Sequence, residues 1–372
     1  MSVSARTILA LDASPFCGGA QESLWTWGEA LRQAGEHIVL LTADVSAGGL
    51  ADRAEASGWE LRRFSCRHWR KSPVGLWQML GDTQNFARQS ELWRREISPV
   101  CIYANGWRAA WLWRHSPWKD VPCLFQDRDV RMPGLMRRHL ASAVSGVVGA
   151  TECVLGAWRE LLPAERCHLQ PNGFDLARLR ERAQDIVPST AFTAVMVADL
   201  VPWKNHRLFL EALAALCAEG IPVQGVLVGR CRAECDVRYL QSLQDMARHL
   251  GLESCLRWLT DGTTSGVEAI AAGSVLVSCA AEESFGRTVV EALALGKPVV
   301  AVTAGGVREI LTGCPAGTLC EGTPSALAAA LARWRDSVAY AAAAASARDW
   351  ADRYEMSRLV PSWQSLLHKI AP

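Results

Sequence analysis

Residues 274–302 read Ser274-Val-Leu-Val-Ser-Cys-Ala-Ala-Glu-Glu-Ser-Phe-Gly-Arg-Thr-Val-Val-Glu-Ala-Leu-Ala-Leu-Gly-Lys-Pro-Val-Val-Ala-Val302. The apolar run 274–279 predicts a strand, and the pattern from about 288 to 295 predicts a helix. Gly296-Lys297-Pro298 breaks the helix, and 299–302 is again a strand. Strand, loop, helix, strand is a βαβ unit, the building block of a parallel sheet. Two carboxylates, Glu283 and Glu291, stand seven residues apart with Gly286 between them. Glu283 falls in the loop and Glu291 on the first turns of the helix. The loop amides of 286–288 fall at the helix start, where unpaired N–H groups and the dipole favour a phosphate. Carboxylates beside them suit the hydroxyls of a sugar or ribose. An acidic helix start complementing the dipole is the equally simple structural reading of the isolated pair.

The same alternation runs through most of the chain. Strands are predicted at 7–11, 37–41, 100–103, 123–125, 144–149 and 167–169. Cys17-Gly18-Gly19 opens a helix over about 20–33 that Gly35 ends, and Pro171-Asn172-Gly173 is a turn signal. The pattern restarts with strands at 192–197, 223–228 and 256–259 and helices at about 205–218 and 237–250. The Ala-rich stretch 326–347 is helical on propensity, and an amphipathic pattern covers 349–370. The fold class is therefore α/β, two Rossmann-like parallel-sheet domains over 1–175 and 185–348, with a last segment 349–372. Two such halves imply a cleft between them, with ligands at the carboxyl ends of the strands.

With 372 residues, half of them hydrophobic and 21% charged, the chain has the composition of a globular protein of about two domains. A formal net charge of +1 gives no sign of nucleic-acid binding. The charge is uneven, however. Residues 60–140 hold fifteen Lys/Arg against seven Asp/Glu, and seven of the sixteen Trp: Trp69, Trp77, Trp93, Trp107, Trp111, Trp113 and Trp118. That window reads either as a basic, aromatic face for an anionic acceptor or membrane surface, or as a solvated face over core tryptophans. No targeting segment and no apolar run of membrane-spanning length is visible. The thirteen Cys are scattered, the closest pair being Cys231 and Cys235, which points to reduced cysteines and no metal site.

The 283–291 segment, Gly305-Gly306-Val307-Arg308-Glu309-Ile310 after it, the Gly18-Gly19 loop, Pro171-Asn172-Gly173-Phe174-Asp175 and Lys204 together resemble the retaining GT-B glycosyltransferases of family 4, over nearly the whole chain. The resemblance implies a nucleotide-sugar donor held by the second domain, an acceptor held by the first, and a last helix crossing back to the first. It also implies roles. Glu283 contacts donor-sugar hydroxyls, Phe285, Gly286 and Arg287 present amides, and Glu291 holds the ribose. Lys204 pairs with the diphosphate as a mobile charge, and Arg230 lies on the nucleotide loop. Gly18 and Gly19 allow close approach of the backbone. Ser284 and Thr288 either cap the helix or touch phosphate. Trp107, Arg128, Arg131 and Thr151 are the candidate acceptor contacts.

Two departures from the family pattern stand out. Asp199 occupies the end of the first strand of the second half, where the family usually has Arg; Arg207, Arg230 or Arg287 then supplies the missing charge, Arg287 foremost because it lies inside the phosphate loop. Gln126-Asp127-Arg128-Asp129 replaces the family's His-Asp. Arg128 cannot act as a base, so it is an electrostatic or acceptor-binding group, or Asp127 or Asp129 takes the positioning role. Asp127-x-Asp129 is also the three-residue metal signature of the other nucleotide-sugar transferase fold, which the two-half organisation disfavours.

The resulting expectation is a retaining transferase with a UDP- or GDP-sugar as co-substrate and no metal or other cofactor. The acceptor is a glycan or lipid-linked glycan in cell-surface polysaccharide or lipopolysaccharide synthesis. A soluble small-molecule acceptor, a GT-B epimerase or phosphorylase, and a degenerate binding partner are the alternatives. The protein is expected in the cytoplasm, either free or peripheral on the inner, anionic face of the membrane.

Overall fold

Along Thr7–Asp12 the side chains alternate: Leu9 and Leu11 join one buried cluster, Ile8 and Ala10 another. A strand packed on both faces reads as a continuous apolar run, as parallel sheets require. The computed structural model describes residues 6–67, 69, 72–130, 132–231 and 234–372. These form two compact units, Met1–Phe174 with Met356–Pro372, and Asp175–Glu355.

The first unit is a parallel sheet of β1 (Thr7–Asp12), β2 (His37–Thr42), β3 (Glu60–Arg63), β4 (Cys101–Asn105), β5 (Cys123–Asp127), β6 (Gly146–Gly149) and β7 (Cys167–Leu169). Its strand order is β3-β2-β1-β4-β5-β6-β7. The order reverses between β1 and β4, where Asp12 and Asn105 are direct register partners. The helix Gly19–Gln33 follows β1, and its N-cap Gly18 sits at φ −145°, ψ −167°, in extended rather than left-handed backbone. The helix Met356–Ile370 packs on the same face. Trp363 lies edge-on to Trp27 (5.7 Å) and Tyr103 (5.8 Å), and Met356, Leu366 and Leu367 are buried beside them. Each such burial contributes on the order of 1.5–3 kcal/mol.

The second unit repeats the arrangement. It contains β8 (Thr193–Val197), β9 (Gln224–Val228), β10 (Leu256–Leu259), β11 (Val275–Ser278), β12 (Val299–Val302) and β13 (Gly317–Cys320), in the order β10-β9-β8-β11-β12-β13. Neighbouring strands pair in parallel, and the order reverses between β8 and β11. The Ala-rich stretch is two helices, Pro324–Arg333 and Ser337–Ala351, because Asp336 accepts from the Ala339 amide and starts a new helix. The amphipathic pattern expected from 349 likewise begins later, at Met356, after the 3-10 turn Asp352–Tyr354. Among the described residues no helix is long and apolar enough to cross a membrane.

Candidate functional site

In the second unit, the loops that follow β8, β11 and β12 are tied together around Glu283. After β8 the chain runs through the 3-10 turn Pro202–Lys204 to Asn205, the one described non-glycine residue with positive φ (57°). That turn projects Lys204, whose Nζ lies 2.5 Å from Glu283 Oε2 and 4.1 Å from the Trp203 ring centroid. The two charged side chains are 18% and 17% exposed. At that burial their attraction is screened less than on an open surface.

The Glu283 backbone is fixed by the loop after β12. The Gly306 amide donates to the Glu283 carbonyl at 2.7 Å. Gly305, at φ +48°, packs so closely that a Cβ there would meet the same carbonyl oxygen at 2.2 Å. Phe285 turns into the core, edge-on to Tyr354 at 5.7 Å. Gly286 then takes φ +103° as N-cap of the helix Arg287–Ala294, and a Cβ there would meet Val307 Cγ2 at 2.7 Å. Because the N-cap is a glycine, it offers no side chain to the first-turn amides, so Ser284 and Thr288 do not stand in the N-cap position. One turn on, Arg287 Nη2 lies 3.5 Å from Glu291 Oε1, both side chains less than one-fifth exposed.

The structure therefore gathers Lys204, Glu283, Ser284, Phe285, Gly286, Arg287, Thr288 and Glu291 on one side of the β8/β11 reversal. Arg230 and Asp199 lie on the neighbouring loops, linked by the bond from the Leu200 amide to the Arg230 carbonyl at 3.2 Å. Arg230 is exposed and Asp199 half-buried. His206 begins the next helix fully buried, its ring edge-on to Tyr239, and burial lowers its pKa to about 4.

The first unit presents a different constellation at its own reversal point. Asp12 Oδ1 accepts from Gln21 Nε2 and Asn105 Nδ2, both at 2.8 Å. Burial pushes the Asp12 carboxyl up to about 6. Asn105 Oδ1 accepts from Arg128 Nε at 2.9 Å, Asn172 Oδ1 from Arg128 Nη1 at 2.6 Å, and Tyr103 Oη from Nη2 at 3.4 Å. Tyr103 Oη donates to Gln126 Oε1 at 3.1 Å. Gly18 adjoins this network, its amide donating to Gln21 Oε1 at 3.0 Å. Residue-by-residue reading missed Asp12, Gln21, Tyr103 and Asn105; the available signal was a polar residue ending an apolar strand.

The other candidates are placed differently. Asp127 is buried, with Trp158 Nε1 donating to Oδ2 at 2.7 Å and the Asp129 amide to Oδ1 at 2.9 Å. Burial pushes its carboxyl up to about 7. It thus holds the core tryptophan and the following turn, and the structure does not bring it to the Arg128 network. Asp129 is exposed. Trp107 is tilted against Trp69 at 5.7 Å and packs on the core. Thr151 is buried at the start of the helix Glu152–Arg159. Arg131 lies outside the described residues.

Of the seven window tryptophans, Trp69, Trp113 and Trp118 are buried and Trp93, Trp107 and Trp111 pack partly against the core. Trp77 is 76% exposed. It stands on the helix Pro73–Trp93 with Val74, Leu76 and Leu80, which are 65%, 55% and 43% exposed. Among the described residues, no group of three or more His, Cys, Asp or Glu is arranged to hold a metal ion.

Residues 178–348 match the family described as Glycosyl transferases group 1. The D-inositol 3-phosphate glycosyltransferase of Corynebacterium efficiens is 28% identical over 299 residues, 79% of this chain and 66% of the relative. The enzyme of the same name from Streptomyces griseus is 30% identical over 179 residues, 45% of this chain and 37% of the relative. The chain thus spans about one-third to two-thirds of these relatives' length. The crystal structure of Anabaena HepE in complex with UDP and glucose superposes with a TM-score of 0.78 at 21% identity, over 97% of this chain and 99% of that one. At that identity the likeness is one of fold, the paired Rossmann-like sheets of GT-B.

Proposed function

We propose that this chain, whose residues 178–348 match the glycosyl transferases group 1 family, moves a sugar from a nucleoside diphosphate sugar to a hydroxyl group of an acceptor. The observation that carries this reading is the Lys204–Glu283 pair at 2.5 Å, set beside a helix start whose N-cap is Gly286. A cation and first-turn amides are the groups a diphosphate needs, and they stabilise the charge that builds on it as the glycosidic bond breaks. Glu283 accepts hydrogen bonds from the donor sugar, and Glu291 from the ribose. Arg287, already beside Glu291, is the second cation near the phosphates and offsets Asp199. Gly18 and Gly19, without side chains, allow their backbone to approach the substrate. The leaving diphosphate takes the acceptor proton, so neither a protein base nor a metal is assigned, and the sugar keeps its anomeric configuration.

The UDP named for HepE supports a uridine donor. The relatives' name, D-inositol 3-phosphate glycosyltransferase, supports a small polyol acceptor over a cell-surface glycan. The exposed Val74, Leu76, Trp77 and Leu80 surface supports the second reading, an acceptor met at an anionic membrane.

The test is a thermal-shift panel of UDP, GDP, ADP and dTDP, without metal, on wild type and Glu291→Ala. One nucleotide is expected to stabilise the wild type, by about 2.7 kcal/mol at a hundred times its Kd, and the variant much less. Stabilisation by none of them overturns the reading.

A further inference from the structure

We infer that Arg128 reads an oxyanion, phosphate or carboxylate, on the acceptor, so that the protein favours an anionic acceptor over its neutral counterpart. This rests on the transferase reading above and adds to it the acceptor's charge. Arg128 follows β5, half-buried, in the crevice outside the strand ends of the first unit, the place where open α/β sheets bind ligands. All three of its hydrogen-bond partners are neutral: Asn105 Oδ1, Asn172 Oδ1 and Tyr103 Oη. Among the described residues it enters no ion pair, whereas Arg53, Arg67 and Arg180 each meet a carboxylate. The carboxylate of the network, Asp12, stands behind Asn105, whose amide donates to Asp12 and accepts from Arg128. The neighbouring Asp129 is exposed, and its charge bears on Arg108.

A guanidinium carries five N–H donors. Three are engaged, which leaves one on each terminal nitrogen. Partial burial weakens the hydration of the cation, and three neutral acceptors orient it without neutralising it. A fixed fork with two unspent donors matches two oxygens of one anion. A bracing role between β4, β5 and the turn at 171–173 accounts for the three bonds. It does not account for joining them by a cation that, among the described residues, pairs with no carboxylate.

The test uses the full chain with UDP-glucose and reads UDP release for paired acceptors. The pairs are inositol 3-phosphate against inositol, glucose 6-phosphate against glucose, and glucuronate against glucose. Wild type is expected to show a kcat/KM at least about tenfold higher for the anionic member of a pair; the glucuronate arm separates carboxylate from phosphate. Arg128→Gln is expected to bring that ratio close to one, and Arg128→Lys to hold an intermediate ratio. The ratio is internal to each variant, so a general loss of folded protein lowers both members and leaves it unmoved. Equal use of neutral and anionic acceptors by the wild type overturns the inference, as does a ratio that survives in Arg128→Gln. If Arg128→Gln does not fold, the wild-type and Arg128→Lys ratios decide. Transfer to neutral acceptors alone sinks the Arg128 role and leaves the transferase standing. Absence of UDP release in every arm, together with no stabilisation by any nucleotide, sinks both.

Discussion

Lys204 and Glu283 meet at 2.5 Å across the ends of the neighbouring strands β8 and β11. Both belong to the groups assigned to the donor, and each satisfies the other. If they hold the donor as proposed, a diphosphate arriving at the helix start competes with Glu283 for the ammonium, and sugar hydroxyls compete with Lys204 for the carboxylate. Under the proposed function the pair sets donor affinity through exchange of partners, and its members act as a unit. Lys204→Ala and Glu283→Gln are each expected to lower kcat/KM by about a hundredfold or more. The double variant should lose much less than the product of the two. Additive losses in a steady-state cycle would show that the two do not work together.

Gly305 supports Glu283 from below. At φ +48°, with a Cβ only 2.2 Å from the Glu283 carbonyl oxygen, Gly305→Ala must shift that loop. The expected result is a stability loss on the order of 1–3 kcal/mol in urea unfolding and a rise in donor KM. Gly134→Ala, where nothing lies within 4 Å, is the control. Equal urea midpoints for the two variants would remove the support role.

Arg287 stands 3.5 Å from Glu291. If it supplies phosphate charge, Arg287→Ala weakens UDP binding by about tenfold and makes it less sensitive to salt. Titration calorimetry at low and high salt reads both. Unchanged affinity would return the charge role to Arg207 or Arg230.

Asp127 gives a pH signature. Its folded value of about 7 lies above the ordinary 3.8, because burial outweighs its two hydrogen bonds. Asp12, at about 6, has the same sign. The folded chain thus holds protons that the unfolded chain has released. The stability from this source is full below the ordinary carboxylate value and is lost as pH rises through 6 and 7. His206 has the opposite sign: lowered to about 4, it favours the folded state above 6.5 and loses that contribution as pH falls. Asp127→Asn should flatten the alkaline side of the urea-midpoint profile. It should also lower stability at about pH 5 by about 1–3 kcal/mol, since an amide N–H₂ then faces the Trp158 or Asp129 donor. An unchanged slope would refute the burial argument.

The surface of Val74, Leu76, Trp77 and Leu80 predicts sedimentation with anionic vesicles that weakens in Trp77→Ser/Leu80→Ser. Failure of wild type to sediment at low salt favours the soluble acceptor.

The central strands were legible because burial on both faces makes them apolar runs. The edge strands β3 and β13 were not: Glu60, Arg62 and Arg63 leave Leu61 alone in β3, and Gly317–Cys320 is four residues opened by a glycine, so neither presents an apolar run. Nor was the helix Pro73–Trp93, whose buried positions are Gly75, Asp82, Thr83, Phe86 and Ser90 and form no apolar stripe. In the second unit the site could be read because strand, glycine loop and helix start are contiguous. In the first, Arg128 meets Asn105 and Asn172 from 23 and 44 residues away. Sequence spacing carries no information about such partners until the strand order is known.

The return of Met356–Ile370 to the first unit inverts the order of completion on the ribosome. The stretch 175–355 emerges as one continuous piece and has its whole core in hand. The first half emerges earlier, yet Trp27 and Tyr103 wait for Trp363, so their apolar face stays uncovered while some 180 further residues are made. The part of the chain synthesised first is thus the last to finish folding, and during translation it is the part exposed to chaperones.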